Sequence, residues 1–175
     1  VGRGSFGTVY LAEDRKIGRL VAIKQLSKKV SGGRGSEIYE RFMQEARIGA
    51  QLDHPNIINV FALEEDSSSA CIIMEYLAGG SLASRIKDKG RIDIMESIRI
   101  ISGILDGLRS AHGVMVIHRD VKPQNIIFDA KDQPKITDFG VALLPSAFGG
   151  LPDEIQSPTG SIVGTPLYTS PEQIS

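Results

Sequence analysis

Two acids, an amide and a lysine lie near one another in the second half of the sequence. Asp120, Lys122 and Asn125 occur in the segment HRDVKPQN, and Asp138 follows in DFG. Carboxylate and amide oxygens are the ligands that Mg²⁺ prefers, and a carboxylate can also accept a proton from a hydroxyl group. Packing does not explain an acid, a base and an amide directly after the apolar run VMVI. The pattern therefore predicts a site of chemistry in this segment.

A lysine and a glutamate in the first third of the sequence form a second candidate site. Lys24 ends the strand-like segment VAIK, where a lone lysine usually faces water. Glu45 lies on the apolar face of a predicted helix, with Phe42 and Gly49, where an unpaired carboxylate is costly. We predict that Lys24 pairs with Glu45 and presents its charge to phosphate oxygens. The alternative is that Glu45 lies at the rim and pairs with Arg41.

A glycine-rich stretch opens the sequence, with Gly2, Gly4 and Gly7 in the pattern G-x-G-x-x-G. Dinucleotide-binding folds share this pattern, but there the glycines open a helix and an acid follows about 20 residues later. Here Thr8 and Val9 favour a strand, and the corresponding later region carries a lysine. We predict a hairpin tip whose bare backbone can approach phosphate closely.

The elements that must position these residues change in kind along the chain. Alternating apolar residues predict strands over 7–14, 20–26, 57–63 and 71–77, and shorter strands over 114–117 and 125–128. Helical periodicity predicts helices over 36–52, 81–89 and 93–112. The segment SGGRGS is expected to be a flexible connector, and 145–160 a mobile loop. These elements predict an α+β protein of two small lobes, joined near 76–80.

The last two predicted helices carry clear end signals. Ser81 is the expected N-cap of the first of them, and Gly90 its stop. Asp93 and Glu96 resemble a capping box at the start of the longer one, and Gly113 is its expected end. The apolar stripe of this longer helix comprises Ile94, Ile98, Ile101, Leu105 and Leu108.

Composition restricts the class of protein. The chain has 175 residues, 41% of them hydrophobic and 23% charged, which is typical of a globular domain. A formal net charge of −1 offers no overall basic surface to nucleic acid. No apolar stretch approaches the roughly 18 to 20 residues of a membrane-spanning helix. Cys71 is expected to be a buried, reduced thiol, and the start at Val1 without a methionine suggests a fragment.

Six motifs occur in the order of the protein-kinase signature, namely GRGSFGTV, VAIK, Glu45, HRDVKPQN, DFG and SPE. Over its whole length the sequence therefore resembles the eukaryotic-type (Hanks-type) serine/threonine protein kinases, and EARIGAQLDHPNI and SPEQ resemble their bacterial members. The resemblance implies an α+β, two-lobe fold. Its parts are an N-lobe over 1–76 with an antiparallel sheet and one helix, a hinge over 77–80, and a mainly helical, truncated C-lobe over 81–175.

The resemblance also implies catalytic roles. Asp120 orients the substrate hydroxyl and accepts its proton, and Lys122 neutralises charge on the γ-phosphate during transfer. Asn125 and Asp138 hold Mg²⁺, or Mn²⁺, at the phosphates of ATP. Lys122 at this position is typical of the serine/threonine class. His118 is expected to support the loop by packing near DFG rather than to transfer protons.

The implied ATP site combines the glycine-rich loop, the first sheet and the hinge. Val9 and Ala22 cover the adenine and Ile127 forms its floor, although a packed strand face is the alternative interpretation of all three. Backbone groups of Glu75 and Leu77 hydrogen-bond the purine. The complete set is Gly2, Gly4, Ser5, Phe6, Gly7, Val9, Ala22, Lys24, Glu45, Met74, Glu75, Leu77 and Ile127.

An activation segment is implied between DFG and SPE. Arg119 is the expected ligand of an activation-loop phosphate, Thr165 contacts the catalytic aspartate and lysine, and Glu172 pairs with an arginine of a later helix. Leu143 replaces a second basic residue of the phosphate pocket, which leaves phospho-activation open. Gly49 replaces a larger residue and predicts a loose contact behind its helix, which could then swing. The candidate phosphosites, for which a solvated loop is the alternative, are Ser157, Thr159 and Ser161.

The implied function is transfer of the γ-phosphoryl group of ATP to serine or threonine hydroxyls of protein substrates. It is expected in the cytoplasm, with no nucleic-acid partner and no membrane segment in this chain. The alternatives are a pseudokinase or scaffold module, which would need a lost catalytic residue, and a kinase-like small-molecule phosphotransferase, which seldom carries GTPLYTSPE. Because later helices are missing, the isolated chain is expected to expose part of its long apolar stripe, to be unstable and to be poorly active.

Overall fold

The computed structural model describes residues 2–4, 7–27, 33–139 and 168. Its first part contains the strands β1 (Gly2–Gly4), β2 (Gly7–Asp14), β3 (Arg19–Ser27), β4 (Val60–Glu65) and β5 (Ser69–Glu75). They form one antiparallel sheet in the order β1-β2-β3-β5-β4. The glycine-rich stretch is therefore the predicted hairpin, and the two residues between β1 and β2 lie outside the described residues.

The register of the sheet places Lys24 in the middle of one face. Val9 pairs with Lys24 across β2 and β3, and Lys24 pairs with Ile72 across β3 and β5. Residues directly opposite one another in antiparallel strands project to the same side. Because side chains alternate along a strand, Ala22 and Met74, which are also paired, lie on this face as well.

One helix, α1 (Gly33–Gln51), covers this face of the sheet. Phe42 and Ala46 on the helix are buried against Leu26 and Ala70 on the sheet. The predicted apolar face of the helix is thus confirmed. The helix begins three residues earlier than predicted, so that the second half of the expected flexible connector is its first turn.

The turn between β4 and β5 explains why both strands differ from prediction. The Asp66 carboxylate accepts hydrogen bonds from the backbone N–H groups of Ser68, at 2.6 Å, and Ser69, at 2.7 Å. This tight Asx-type turn needs only a few residues, so the neighbouring polar residues extend the two strands. β4 starts later than predicted, at Val60, because Ile57 instead forms an isolated parallel bridge with a strand of the second part.

The second part begins with the helices α2 (Leu82–Lys89) and α3 (Ile94–Gly113). A 3₁₀ turn (Pro123–Asn125) then leads into the antiparallel hairpin of β6 (Ile126–Phe128) and β7 (Pro134–Ile136). The strand predicted over 114–117 is wrong. Val114 and Met115 lie in a turn, and Met115 has a left-handed φ of 63° that a strand does not allow.

Both predicted helix starts are confirmed by their caps. The Ser81 hydroxyl accepts a backbone N–H of α2 at 3.1 Å, and the Asp93 carboxylate accepts one of α3 at 2.8 Å. The capping box predicted for α3 is incomplete, because the Glu96 carboxylate is bound elsewhere. It pairs with Arg85 at 2.9 Å and with Lys89 at 3.0 Å, and thereby joins α3 to α2.

The helix α3 is buried through a face that differs from its apolar stripe. Ile100, Gly107 and Ala111 are buried. A Cβ atom on Gly107 would lie 3.0 Å from the carbonyl oxygen of Asn56, so glycine is what permits this close approach. Of the predicted stripe Leu108 packs against the core, whereas the exposed members are Ile94, Ile98, Ile101 and Leu105. The expected partial exposure is confirmed. None of the described helices is both long and apolar enough to cross a membrane.

Residues 56–58 link the two parts of the chain. The N–H of Ile58 donates to the carbonyl oxygen of Ile136 at 3.0 Å, and the N–H of Ile136 donates to that of Asn56 at 2.8 Å. The Asn56 side chain also donates to the carbonyl oxygen of Pro134 at 2.8 Å. This segment lies between α1 and β4, so the first part is hydrogen-bonded directly to the β6–β7 hairpin of the second.

Candidate active site

A cleft that is partly open to solvent lies between the sheet and the β6–β7 hairpin. Its wall is mainly apolar with a few charged groups, the usual character of a small-molecule site. Of the residues predicted to bind ATP, the cleft wall brings together Val9, Ala22, Lys24, Glu45, Met74, Glu75, Leu77 and Ile127. The predicted metal ligand Asp138 also lies on this wall.

Lys24 is the centre of a charged cluster. Its Nζ donates to both carboxylate oxygens of Glu45, at 2.7 and 2.8 Å, and to Asp138 Oδ1 at 2.6 Å. Lys24 and Glu45 are both buried, whereas the Asp138 side chain is 49% exposed in the cleft. The predicted pairing of Lys24 with Glu45 is confirmed, and the alternative that placed Glu45 at the rim beside Arg41 is wrong.

The protonation equilibria of this cluster follow from burial and charge. Burial raises the pKa of Glu45 to about 7, against the opposing pull of the Lys24 ammonium. Burial also acts to lower the pKa of Lys24, but the Glu45 and Asp138 carboxylates outweigh it and the net shift is upward. For Asp138, desolvation is outweighed by Lys24, and its pKa is lowered. Lys24 is therefore a fixed positive charge at the cleft wall.

Asp120 is held in place within its own loop. Lys122 Nζ lies 2.7 Å from Asp120 Oδ2, and Asn125 Nδ2 donates to the same oxygen at 3.0 Å. The Asn125 amide also donates to the backbone oxygen of Asp120 at 2.8 Å. The preceding residue, Arg119, has a left-handed φ of 63°, which is uncommon outside glycine and is frequent at functional sites. The structure thus brings Asp120, Lys122 and Asn125 together as the sequence predicted.

His118 supports this loop as a neutral side chain. Its Nδ1 accepts the backbone N–H of Asp120 at 3.2 Å, and its Nε2 lies 2.9 Å from the carbonyl oxygen of Thr137. Since the first contact needs an acceptor and the second a donor, the neutral Nε2–H tautomer satisfies both. Burial lowers the pKa of His118 and favours the same state. Its ring packs edge-on against Phe139 at 4.6 Å, so the predicted supporting position is confirmed.

Of the two predicted metal ligands, Asp138 lines the cleft, whereas Asn125 is buried beside Asp120. Because Asn125 Nδ2 is held by Asp120, the amide orientation is fixed and its oxygen is the remaining donor atom. Asp138 shares one oxygen with Lys24 and is half exposed in the cleft, on a backbone with a left-handed φ of 62°. Amide and carboxylate oxygens of this kind fit Mg²⁺ or Mn²⁺.

Several cleft residues were not anticipated from the sequence. Ile72 could have been predicted from the strand period, because it lies two residues before Met74 on β5 and so on the same face. Thr137 and Phe139 flank Asp138 on the cleft wall, and the Thr137 hydroxyl donates to the backbone oxygen of Asn125 at 3.2 Å. The others, Ile58, Val60 and Tyr76, come from segments whose placement depends on the fold as a whole.

Gly49 corrects one prediction about the helix that carries Glu45. A Cβ atom on Gly49 would lie 2.4 Å from Val60 Cγ2, so the strand β4 approaches α1 closely at this point. The predicted loose contact behind the helix is therefore wrong, because the side chain of Val60 occupies the space that glycine leaves. The prediction that the helix can swing rested on this loose contact, and the swing itself stays a prediction.

The remaining predicted residues fall into two groups. Gly2, Gly4 and Gly7 lie in the β1–β2 hairpin, and Arg119 lies in the loop before Asp120. The predictions for the following residues lie outside the described residues: Ser5, Phe6, Leu143, Ser157, Thr159, Ser161, Thr165 and Glu172.

Comparison with known proteins gives a consistent result. The protein kinase domain family matches residues 1–175. The chain is 36% identical over 175 residues to pknA2, a probable serine/threonine-protein kinase of Bifidobacterium longum, covering 99% of this chain and 22% of that protein. It is 36% identical to the serine/threonine-protein kinase PrkC of Bacillus subtilis, and the match covers 99% of this chain and 26% of that protein. The serine/threonine-protein kinase PknA of Mycobacterium tuberculosis is also 36% identical, and the match covers 99% of this chain and 39% of that protein. The chain thus spans less than half the length of these relatives.

Proposed function

The chain belongs to the protein kinase family, and we propose that it transfers the γ-phosphoryl group of ATP to serine or threonine hydroxyls of protein substrates. One observation carries this proposal. Lys24, fixed by Glu45, and Asp138 meet on the wall of an apolar cleft, while Asp120 is held by Asn125 and Lys122. Phosphoryl transfer depends mainly on positioning and on charge neutralisation, and both are built into this arrangement.

In this proposal the apolar part of the cleft receives the adenine. Val9 and Ala22 on the sheet lie above it and Ile127 on β6 lies below, while backbone groups of Glu75 and Leu77 hydrogen-bond the purine. Lys24 contacts the phosphates, because its ammonium is locked by Glu45 at the cleft wall. The glycines of the β1–β2 hairpin let the backbone approach the phosphates closely.

Asp120 and Lys122 act on the group that is transferred. The Asp120 carboxylate orients the substrate hydroxyl and accepts its proton, and Lys122 neutralises charge on the γ-phosphate. Asp138 and Asn125 hold Mg²⁺, which neutralises the phosphate charge when it is bound. This assignment is supported by the hydrogen bonds that join Asp138 to Lys24 and Asn125 to Asp120.

The acceptor class rests on the relatives and on one residue. All three relatives compared above are named serine/threonine-protein kinases, and Lys122 is typical of that class. We also propose protein substrates and a cytoplasmic location, because the reaction consumes ATP. Cys71, which was expected to be buried, is only partly buried. Thr165 and Glu172 are proposed to contribute to the activation segment, with Arg119 as its basic partner.

The test is transfer of label from γ-labelled ATP to a generic protein substrate in the presence of Mg²⁺, followed by phosphoamino-acid analysis. We expect label on serine or threonine. Asp120→Asn should abolish it while leaving nucleotide binding intact, since Asp120 acts on the hydroxyl and not on ATP. Label on tyrosine would overturn the acceptor class, and undiminished transfer by Asp120→Asn would overturn the role of this residue.

A further inference from the structure

A buried lysine outside the catalytic cluster joins the two parts of the chain. Lys135, on β7, is 6% exposed. Its Nζ lies 3.0 Å from Glu75 Oε2 and 3.4 Å from the carbonyl oxygen of Ile57. Because an ammonium removed from water needs strong partners, these contacts fix the side chain. None of the roles assigned above uses Lys135.

The acceptor, Glu75, is the last residue of β5 and is bound by a second side chain. Asn59 donates to Glu75 Oε2 from its side-chain Nδ2 at 3.3 Å and from its backbone N–H at 3.4 Å. The backbone N–H of Glu75 in turn donates to the carbonyl oxygen of Asn59 at 2.9 Å. Asn59 and Lys135 therefore both hold the same carboxylate oxygen of Glu75, Oε2.

This network fixes the start of a segment that lines the cleft. Glu75, Tyr76 and Leu77 all lie on the cleft wall, and Glu75 and Leu77 are the residues whose backbone is proposed to bind the purine. Asn59 follows directly on 56–58, the residues that are hydrogen-bonded to β7. The carboxylate of Glu75 thus ties the 75–77 segment to the same hairpin that carries Lys135.

We propose that Asn59 and Lys135 are positioning residues that act through Glu75, and that they set the affinity for the purine of ATP. The proposal rests on the proposed function, because it assigns the 75–77 backbone to the purine. A segment held in its bound conformation loses little conformational freedom on binding, whereas a loosened one must be ordered by the ligand. Since Lys24 and Asp138 hold the phosphate end separately, the network affects binding of the nucleotide more than the transfer step.

The test compares Lys135→Met with Lys135→Arg and with a matched control, Lys89→Met, in the full protein. Lys89 also lies 3.0 Å from a glutamate, Glu96, but its side chain is 52% exposed. Three readouts are needed: hydrogen exchange of the backbone amides of 75–77 without nucleotide, KM for ATP against kcat, and inhibition by adenosine. Inhibition by adenosine reports the purine contact alone.

For Lys135→Met we expect faster exchange at 75–77, a rise in KM for ATP of about fivefold and an equal loss of adenosine affinity, with kcat within about twofold. Lys135→Arg should recover most of the KM, and Lys89→Met should match the wild type. If Lys135→Met does not fold, Asn59→Ala serves instead, because it keeps the backbone hydrogen bond to Glu75.

Unchanged exchange at 75–77 in the folded variant would overturn the proposal. A decrease confined to kcat would also overturn the proposal, because a positioning role in purine binding predicts a raised KM for ATP with kcat nearly unchanged. If the wild type bound adenosine but transferred no phosphate, the proposed function would fail, and exchange and adenosine affinity would still decide the inference. If the wild type did not bind adenosine, both would fall.

Discussion

Lys24 and Glu45 are 21 residues apart in the chain and form a two-pronged ion pair, with Nζ 2.7 and 2.8 Å from the two carboxylate oxygens. Both side chains are less than 10% exposed. The pair fixes α1 on the sheet and directs a positive charge into the cleft. Removing one partner leaves the other buried without its counter-charge. Substitutions in this pair can therefore distinguish its contribution to stability from its contribution to activity.

The first prediction concerns that separation. Lys24→Met should lower phosphotransfer by at least about 100-fold, because a phosphate ligand is lost. It should also lower the free energy of unfolding by about 3 to 5 kcal/mol, because Glu45 is left as an unpaired buried carboxylate. Adding Glu45→Gln should recover much of the stability and none of the activity. Urea unfolding and the phosphotransfer assay measure the two effects. Near-wild-type activity in Lys24→Met would rule out the role of Lys24.

The second prediction concerns the pH dependence of stability. In the folded protein, burial lowers the pKa of His118 below its ordinary value of 6.5. As the pH falls, the unfolded chain therefore protonates His118 at a higher pH than the folded protein does. The contribution of neutral His118 to stability is therefore complete above about pH 6.5 and is lost as the pH falls toward the folded pKa. Between about pH 7 and pH 5, the wild type should lose unfolding free energy more steeply than His118→Gln.

Urea unfolding at each pH provides this comparison, and the difference between the two proteins isolates His118. Glu45, whose pKa is raised to about 7, has the opposite effect, because the folded state binds its proton more tightly. It is present in both proteins and cancels in the difference. Parallel pH profiles would contradict the neutral, buried state of His118.

The pairing of Lys24 with Glu45 was predictable because two simple rules coincide there. A strand period placed Lys24 on the face that the helix covers, and a carboxylate on an apolar helix face requires a cation. The caps at Ser81 and Asp93 were predictable for a similar reason, since each needs only neighbouring residues. The contact of Lys24 with Asp138 was not, because 114 residues separate them and their meeting depends on the whole fold.

Other features escaped the sequence because small residues carry no periodic signal. Two of the three buried residues of α3 are Gly107 and Ala111, whereas hydrophobic periodicity selects larger side chains such as Ile98 and Ile101. Gly49 suggested an empty space, but the strand β4 comes close enough for Val60 to fill it. Both cases depend on the distance between two backbones, which local sequence does not determine.

The third prediction concerns that close approach. Gly49→Ala should destabilise the protein, because the new Cβ atom would lie 2.4 Å from Val60 Cγ2, so that the Val60 side chain or one of the two elements must move. We expect a loss of about 1 to 3 kcal/mol, in spite of the better helix propensity of alanine. The matched control is Gly113→Ala at the end of α3, where nothing lies within 4 Å of the added atom.

Thermal and urea unfolding measure both variants, and Gly113→Ala should be neutral or slightly stabilising. Combining Gly49→Ala with Val60→Ala removes the obstructing methyl group, so part of the loss should be recovered. If Gly49→Ala were as harmless as Gly113→Ala, the close contact between α1 and β4 would be absent in solution.

The fourth prediction uses two neighbouring isoleucines of α3. Ile100 is 2% exposed, whereas Ile101, on the apolar stripe, is 55% exposed. Truncating a buried isoleucine costs about 2 to 5 kcal/mol, and truncating an exposed one costs little. In the 175-residue chain, Ile100→Ala should therefore lower the free energy of unfolding by that amount, and Ile101→Ala by less than about 0.5 kcal/mol.

The same pair shows whether the stripe limits the behaviour of this chain. Ile101→Lys should raise its solubility without lowering its midpoint of unfolding, because an exposed apolar patch promotes association. Urea unfolding, together with light scattering at increasing protein concentration, measures both quantities. A cost for Ile101→Ala as large as that for Ile100→Ala would mean that the stripe is covered in solution, and Ile101→Lys would then destabilise the protein instead of dispersing it.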